Sequence, residues 1–347
     1  MVLPDSYTTA LLLTILSMIC WGSWANTYKL AGKWRFELYY YDYALGVLIA
    51  AVVAAFTFGT LGFDGFLFMD DLMRAGKRNM AFGFAGGVVF NLANMLLVAA
   101  ISVAGLAVAF PVGIGLALII GVILNYVINP QGNPTLLFTG VTIVTAAIVT
   151  DALAYRAHAL AQAKQRIKAG LTRSTIPKVS WKGIVLSLAS GLLMGSFYPL
   201  VELGKQGDAG MGPYAIAFIF ALGVFSSTFV FNLFFMNLPV QGEPVEILEY
   251  FRGTWRQHAL GLAGGAIWAT GTISNFVAAS APPEIQVGPA ISYAIGQGAT
   301  LVSALWGLLV WKEFRGARGS VKLLLGMMLV LFALGLGLVS VAPLYAG

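Results

Sequence analysis

The sequence predicts an all-α integral membrane protein, a bundle of ten transmembrane helices that form two inverted five-helix repeats. Apolar residues make up 59% of the 347 residues and charged residues 10%, whereas soluble domains carry about 25% charged residues. Mean hydropathy is +0.85. Ten apolar runs are long enough to cross a bilayer, and short motifs recur in the second half in the same order as in the first.

The predicted elements, spans 1 to 10, are apolar runs separated by short polar segments. In order they cover 7–30, 38–61, 79–102, 106–128, 135–156, 181–203, 211–237, 257–279, 285–311 and 319–342. Each approaches the roughly 20 residues that a helix needs to cross the hydrocarbon. Helices satisfy their own backbone polar groups where water is absent, so each run is predicted to be helical. Span 1 has no basic leader, and we interpret it as a retained helix.

The distribution of basic residues predicts the orientation. Arg74, Lys77, Arg78 and Lys205 lie on one side of the predicted bundle, and the other sixteen of the 20 basic residues lie near the loops after spans 1, 3, 5, 7 and 9. The positive-inside rule places the second side in the cytoplasm of a cell (inner or plasma) membrane, with both termini outside. The longest loop, 157–180, lacks interleaved aromatic residues, so no nucleic-acid partner is expected.

This basic linker, 157–180, separates a first five-helix repeat, 1–156, from a second, 181–347. Three short motifs recur in the same order, 22–24 with 195–197, 83–87 with 261–265, and 110–112 with 288–290. Because each half holds an odd number of helices, the second is predicted to lie upside down relative to the first. Inverted repeats are typical of secondary transporters, whose substrate site lies near the membrane midplane where the halves meet.

Five stretches resemble the drug/metabolite transporter superfamily, and within it most closely the ureide permease family. They are Trp21-Gly22-Ser23-Trp24, Tyr41-Asp42-Tyr43-Ala44, Thr57-Phe58-Gly59, Asn125-Tyr126 and the stretch from Leu301 to Ser320, which contains WG-x4-WKEF. The resemblance implies a ten-helix carrier that brings neutral heterocycles such as allantoin, uracil or xanthine into the cell, with protons as the coupling ion.

One feature departs from the plant ureide permeases, which carry a longer central loop with a phosphate-loop-like motif. The linker here contains no G-x4-GK[ST], so neither nucleotide binding nor a cofactor is expected. The single cysteine, Cys20, excludes an intramolecular disulfide and a cysteine metal site.

Polar and aromatic side chains within the spans are the candidate substrate-binding residues, because polar groups are costly in the membrane and need a reason to be there. Amides and aromatic faces suit an uncharged, flat, hydrogen-bonding substrate. Interhelical hydrogen bonding is the alternative for each amide, and packing is the role expected for Trp21. The candidates are Trp24, Tyr28, Asn91, Asn94, Trp268, Thr272, Asn275, Tyr293 and Gln297.

Four ionisable residues, Lys29, Asp42, Asp151 and Glu202, are candidates for proton coupling or for gates. In the gate interpretation, which is favoured, Lys29 pairs with Asp42 at the cytoplasmic end. Glu202 then pairs with Lys205 at the outer end. Asp151 is expected to pair with Arg156 or with Lys29.

Other functions fit the sequence less well. A sugar–proton symporter of the same superfamily remains open, because aromatic stacking and amide hydrogen bonds also suit sugar rings. An exporter of cationic drugs would need a glutamate at the centre of span 1, where this chain has tryptophan and asparagine. An enzyme is not expected, because the two histidines, His158 and His258, are isolated in the sequence. The sequence leaves open whether the protein forms a homodimer.

Overall fold

The computed structural model describes residues 1–104, 106–168, 181–240, 242–317 and 319–345, and this part of the chain is helical without strands. The predicted all-α class is therefore confirmed. The helices are α1 (Tyr7–Ser23), α2 (Ala25–Ala31), α3 (Phe36–Phe56), α4 (Phe58–Leu61), α5 (Phe68–Arg74), α6 (Lys77–Ala104), α7 (Leu106–Ile128), α8 (Pro134–Lys168), α9 (Trp181–Lys205), α10 (Pro213–Asn237), α11 (Trp255–Ala278), α12 (Pro289–Gln297), α13 (Ala299–Leu305) and α14 (Gly319–Val341).

Eight helical segments of the described chain are long and apolar enough to cross a membrane, so the chain is a multi-pass membrane protein. They cover 7–31, 36–61, 77–104, 134–165, 181–205, 213–237, 289–310 and 319–345. Helices α7 and α11 occupy the predicted spans 4 and 8 but are not among the eight. The predicted count of ten therefore stays a prediction.

Two spans are interrupted where they pass the centre of the bundle. Span 1 divides at Trp24 into α1 and α2, and span 9 divides at Gly298 into α12 and α13. Span 9 then ends in a π-helical turn, Trp306–Val310, a form often found at functional sites. Residues at or next to both interruptions, Trp24 and Ala299, line the central cavity described below.

Helix α8 continues past the predicted boundary at residue 156 to Lys168. Residues 157–168 are rich in alanine, glutamine, lysine and arginine, which are strong helix formers. The first half of the predicted linker is therefore an extension of α8. Residues 169–180 of that linker lie outside the described residues.

Hydrogen bonds between distant segments define two ends of the bundle. At one, called the basic end, Arg35 donates to the Glu243 carbonyl and Gln257 to the Ala31 carbonyl. At the other, called the opposite end, Arg74 donates to the Asp208 carbonyl. Asp71 lies at the opposite end and accepts from the Gly212 N–H at 2.7 Å. Loops that the basic-residue distribution assigns to one side thus lie together.

Candidate functional site

A cavity of about 140 Å³ lies between helices of both halves of the chain. Its volume is below the 300–1,000 Å³ that is usual for drug-sized ligands, so it suits a small molecule. No charged side chain is among the described residues that line it. They are Trp21, Gly22, Trp24, Ala25, Phe90, Asn94, Leu97, Ile114, Met194, Phe197, Trp268, Gln297, Ala299, Thr300 and Ser303.

One wall of the cavity is a stack of aromatic rings around Trp268. The Phe90 ring lies 4.2 Å from the Trp268 ring at an angle of 24°. The Trp21 ring is nearly parallel to the Trp268 ring, at 6.2 Å and 13°. The indole N–H of Trp21 donates to Thr272 Oγ1 at 3.0 Å. Trp21 therefore has the expected packing role and also lines the cavity. This wall offers a flat apolar face to a planar ring.

Two amides and two hydroxyl-bearing residues supply the polar part of the lining. Asn94 Nδ2 donates to the Tyr40 hydroxyl at 3.0 Å, which holds the amide in place. Gln297 and Thr300 lie on either side of Gly298, where span 9 is interrupted. The Thr300 hydroxyl donates to the Gln297 backbone carbonyl at 3.2 Å. Ser303 lies one turn further on. These groups can donate to and accept from an uncharged ligand.

The structure divides the nine predicted binding residues into two groups. Trp24, Asn94, Trp268 and Gln297 line the cavity. The other five, Tyr28, Asn91, Thr272, Asn275 and Tyr293, do not line it.

The buried amides outside the cavity join helices. Asn91 Nδ2 reaches the Val224 carbonyl and the hydroxyls of Ser227 and Thr228 in α10. Asn275 accepts from the Tyr198 hydroxyl at 2.6 Å and donates to the Ser292 carbonyl at 3.1 Å.

The remaining three predicted residues also have protein partners. Thr272 accepts from Trp21, as described above, and the Tyr293 hydroxyl donates to the carbonyls of Ala117 and Met194. Tyr28 lines a separate cavity of about 370 Å³ at the basic end, together with Trp34, Arg35 and Ser102.

Sequence reasoning missed several lining residues, among them Phe90, Phe197, Thr300 and Ser303. Phe90, Asn94 and Leu97 share one face of α6 at spacings of four and three, so the helical spacing places Phe90 and Leu97 with Asn94 once Asn94 is known to line the cavity. Thr300 and Ser303 had no such signal, because the break at Gly298 resets the helical phase.

The predicted ion pair between Lys29 and Asp42 is wrong. Lys29 Nζ instead lies 2.6 Å from Glu313 Oε1 and 4.2 Å from the centre of the Trp311 ring. The second Glu313 oxygen accepts from the Tyr155 hydroxyl at 2.9 Å. The WKEF motif therefore joins spans 1, 5 and 9. Lys29 pairs with Glu313 and not with Asp42 because α2 ends beside span 9.

Asp42 has other partners, and His258 is not isolated. His258 Nδ1 lies 2.8 Å from Asp42 Oδ2, and the Tyr250 hydroxyl donates to Asp42 Oδ1 at 2.5 Å. Burial is the main cause that raises the pKa of Tyr250, and the hydrogen bond to Asp42 raises this pKa further. This cluster anchors the segment between α10 and α11 to α3.

The other two ionisable candidates differ from each other. The predicted pair of Glu202 and Lys205 is confirmed at 2.8 Å, with both side chains at least 90% buried. The prediction that Asp151 pairs with Arg156 or Lys29 is wrong. Asp151 is 9% exposed, and its Oδ1 has no hydrogen-bond partner among the described residues.

Comparison with known proteins gives a consistent result. The sequence model of the ureide permease family matches residues 39–180 and 174–342. The chain is 26% identical to Ureide permease 2 of Arabidopsis thaliana, with 96% of each chain covered. It is 24% identical to Ureide permease 1 of Arabidopsis thaliana, over 100% of this chain and 98% of that one.

Two further similarities are more limited. Transmembrane protein 144 homolog B of Dictyostelium discoideum is 28% identical over 52% of this chain and 45% of its own. A solved structure named only "Crystal structure of protein" has a TM-score of 0.59 and 15% identity, over 96% of this chain and 99% of that chain. At that identity, the likeness shows a shared fold alone.

Proposed function

Because the chain belongs to the ureide permease family, and is therefore a membrane transporter and not an enzyme, we propose that it carries small neutral nitrogen heterocycles such as allantoin, uracil or xanthine. Transport is secondary active, proceeds by alternating access and takes up substrate with protons. The observation that carries the substrate class is the central cavity, with its Trp268 ring face and its Asn94 and Gln297 amides.

The cavity lining supports a neutral, flat substrate over the alternatives. A buried cation is stabilised by a counter-charge, and none of the described lining residues supplies one. This argues against an exporter of cationic drugs. A sugar ring carries hydroxyls around its whole edge, whereas the polar lining is confined to α6, α12 and α13. The sugar–proton symporter remains the second candidate.

Ten spans remain our proposal for the topology. Helix α7 packs against α8, α9 and α12, and α11 packs against α1, α3 and α10. Both therefore have neighbours among the eight apolar spans on several sides, as a membrane-crossing helix would.

Close helix contacts support the inverted repeats, 1–156 and 181–347, joined by the linker 157–180. A methyl group on Gly46 in α3 would collide with the Leu262 carbonyl in α11, and one on Gly223 in α10 with the Phe84 carbonyl in α6. Gly223 follows Gly46 by 177 residues, and Leu262 follows Phe84 by 178.

A second set of contacts repeats at the same spacing. Gly265 faces the Tyr43 carbonyl, and Gly87 faces the Phe220 carbonyl. Gly265 follows Gly87 by 178 residues, and Phe220 follows Tyr43 by 177. Equivalent glycines thus make equivalent contacts between α3 and α11 and between α6 and α10, as a duplicated unit predicts.

The two ends of the bundle differ in a way that fits one state of an alternating-access cycle. The buried pair of Glu202 and Lys205 lies near the opposite end, while the cavity of about 370 Å³ lies at the basic end. We therefore propose that this conformation is closed to the outside, with the basic end in the cytoplasm.

Thermal stabilisation of the detergent-purified protein tests the substrate class. A ligand at 100 times its Kd stabilises the native state by about 2.7 kcal/mol. We expect allantoin, uracil or xanthine to raise the melting temperature, and Trp268→Ala to abolish the shift. Trp181→Ala, an exposed tryptophan at the start of α9, is the matched control. A shift with hexoses alone would favour the sugar carrier, and one with quaternary cations alone would refute the proposal.

A further inference from the structure

A buried carboxyl group at the basic end of α8 lacks the partners that its burial requires. Asp151 is 9% exposed, and its Oδ1 meets no donor among the described residues. An ionised carboxylate in such a place is costly, and the cost is removed when the carboxyl binds a proton or a cation. Asp42, the buried carboxylate of α3, has both oxygens hydrogen-bonded and carries no such requirement.

The surroundings of Asp151 connect it to the ion pair at the end of span 9. Tyr155 lies one turn further along the same face of α8 and donates to Glu313, which in turn holds Lys29. The bond from Tyr155 to Glu313 therefore joins the face of α8 that carries Asp151 to this ion pair. The Lys29 and Glu313 side chains are 44% and 35% exposed, so water reaches the group next to Asp151.

No other charged group faces Asp151 from its neighbours in the described chain. Helix α14 contributes Val321 and Leu325 to the cluster around Ala154, while its Lys322 is exposed. The sequence of α7 contains no acidic, basic or histidine residue. On α8 itself, Arg156 is exposed. His158 Nε2 lies 3.0 Å from the Glu313 carbonyl oxygen, and its buried Nδ1 has no hydrogen-bond partner among the described residues.

The ion pair between Lys29 and Glu313 lies in the same helix contact as hydrogen bonds that flank a residue lining the central cavity. Between span 1 and the end of span 9, Trp306 Nε1 donates to Ser23 Oγ at 2.9 Å, and Trp311 Nε1 donates to Asn26 Oδ1 at 2.6 Å. These bonds flank Trp24, which lines the cavity. A change in the ion pair between Lys29 and Glu313 therefore acts on a chain segment that lines the cavity.

We propose that Asp151 is the residue that binds the coupling proton, and that its charge controls the contact between Lys29 and Glu313. This inference rests on the proposed function as a proton-driven carrier. While the proton is bound as an O–H group on Asp151, Lys29 stays paired with Glu313 alone, and in this conformation, closed to the outside, the proton leaves Asp151 for the aqueous basic end. Loss of the proton places a second negative charge beside Glu313, which competes for Lys29 and loosens the join between α2 and span 9.

Proteoliposomes containing wild type, Asp151→Asn and Asp70→Asn separate the proposal from the function on which it rests. Exchange of external for internal radiolabelled uracil or allantoin needs no proton gradient, whereas net uptake under an acid-outside gradient does. We expect Asp151→Asn to keep exchange and lose acid-driven uptake, and Asp70→Asn, an exposed carboxylate of α5, to keep both. Acid-driven uptake by Asp151→Asn with the wild-type pH profile would overturn the proposal.

If the wild-type protein exchanges none of the heterocycles, that result counts against the proposed function but leaves the role of Asp151 to be tested. A second measurement that needs no substrate tests this role. Infrared difference spectra recorded during a pH titration report the carbonyl stretch of a protonated carboxyl group. We expect a titrating signal that disappears in Asp151→Asn and survives in Asp42→Asn. A signal unchanged in Asp151→Asn would overturn the assignment of the proton to this residue.

Discussion

At the scale of single residues, position on a helix face separates ligand contact from structural bonding. Asn91 and Asn94 are three residues apart in α6 and look equivalent in the sequence. Asn94 lines the cavity, whereas Asn91 is fully buried against α10 with three acceptors around its amide nitrogen. The two residues therefore form a matched pair for mutagenesis.

We expect Asn94→Ala to weaken ligand binding by about 2- to 10-fold, the equivalent of one hydrogen bond of about 0.5–1.5 kcal/mol. Asn91→Ala should leave the ligand affinity unchanged but lower the free energy of unfolding by about 1–3 kcal/mol, because its partners in α10 lose their donor. Melting curves with and without ligand measure both quantities. Equal loss of affinity in the two variants would contradict the assignment of Asn94.

Asp71, at the opposite end and outside the spans, gives a pH-dependent prediction. Burial raises its pKa above the usual 3.8, against the opposing effects of the Gly212 N–H and Arg74. The folded state therefore binds this proton more tightly than the unfolded state, and the contribution of Asp71 to stability falls as pH rises from below 3.8 through its raised pKa. Asp71→Asn should thus become more stable relative to wild type as pH rises, measured as the difference in melting temperature. A constant difference would contradict this.

At the scale of elements, glycines determine how closely the helices approach. Gly46→Ala and Gly223→Ala should each destabilise the protein by about 1–3 kcal/mol, because the added methyl group meets a backbone carbonyl that cannot move freely. The exposed Gly326 in α14 has no atom near its added methyl group and is the control. Gly326→Ala should be neutral or stabilising by up to about 1 kcal/mol, from helix propensity.

Unequal effects at Gly46 and Gly223, with one close to the control, would count against equivalent repeats. Melting temperatures in one detergent are sufficient for the comparison.

At the scale of the whole molecule, the orientation proposed for the bundle can be tested by cysteine labelling. Cys20 is the only cysteine and is buried, so replacing it by alanine leaves a background without reactive thiols. Asp208→Cys at the opposite end and Lys33→Cys at the basic end then introduce single exposed thiols. In intact cells, an impermeant maleimide should label the first and not the second, and the reverse pattern would invert the topology.

The helical class, the membrane location and the family could be predicted from the amino-acid sequence. Apolar length and hydropathy are properties of the chain that the bilayer selects directly, and motifs such as WG-x4-WKEF are visible without any contact. The sequence also indicated the pair of Glu202 and Lys205, because residues three apart on a helix are neighbours in any fold.

Contacts between side chains of different helices could not be predicted from the sequence and became visible only in the folded chain. Lys29 pairs with Glu313 and Asp42 with His258, partners that are separated by 284 and 216 residues. Which of Asn91 and Asn94 faces the cavity depends on the rotation of α6 about its axis. Packing against neighbouring helices sets that rotation, and in a helix that is apolar on all sides no amphipathic pattern in the sequence records it.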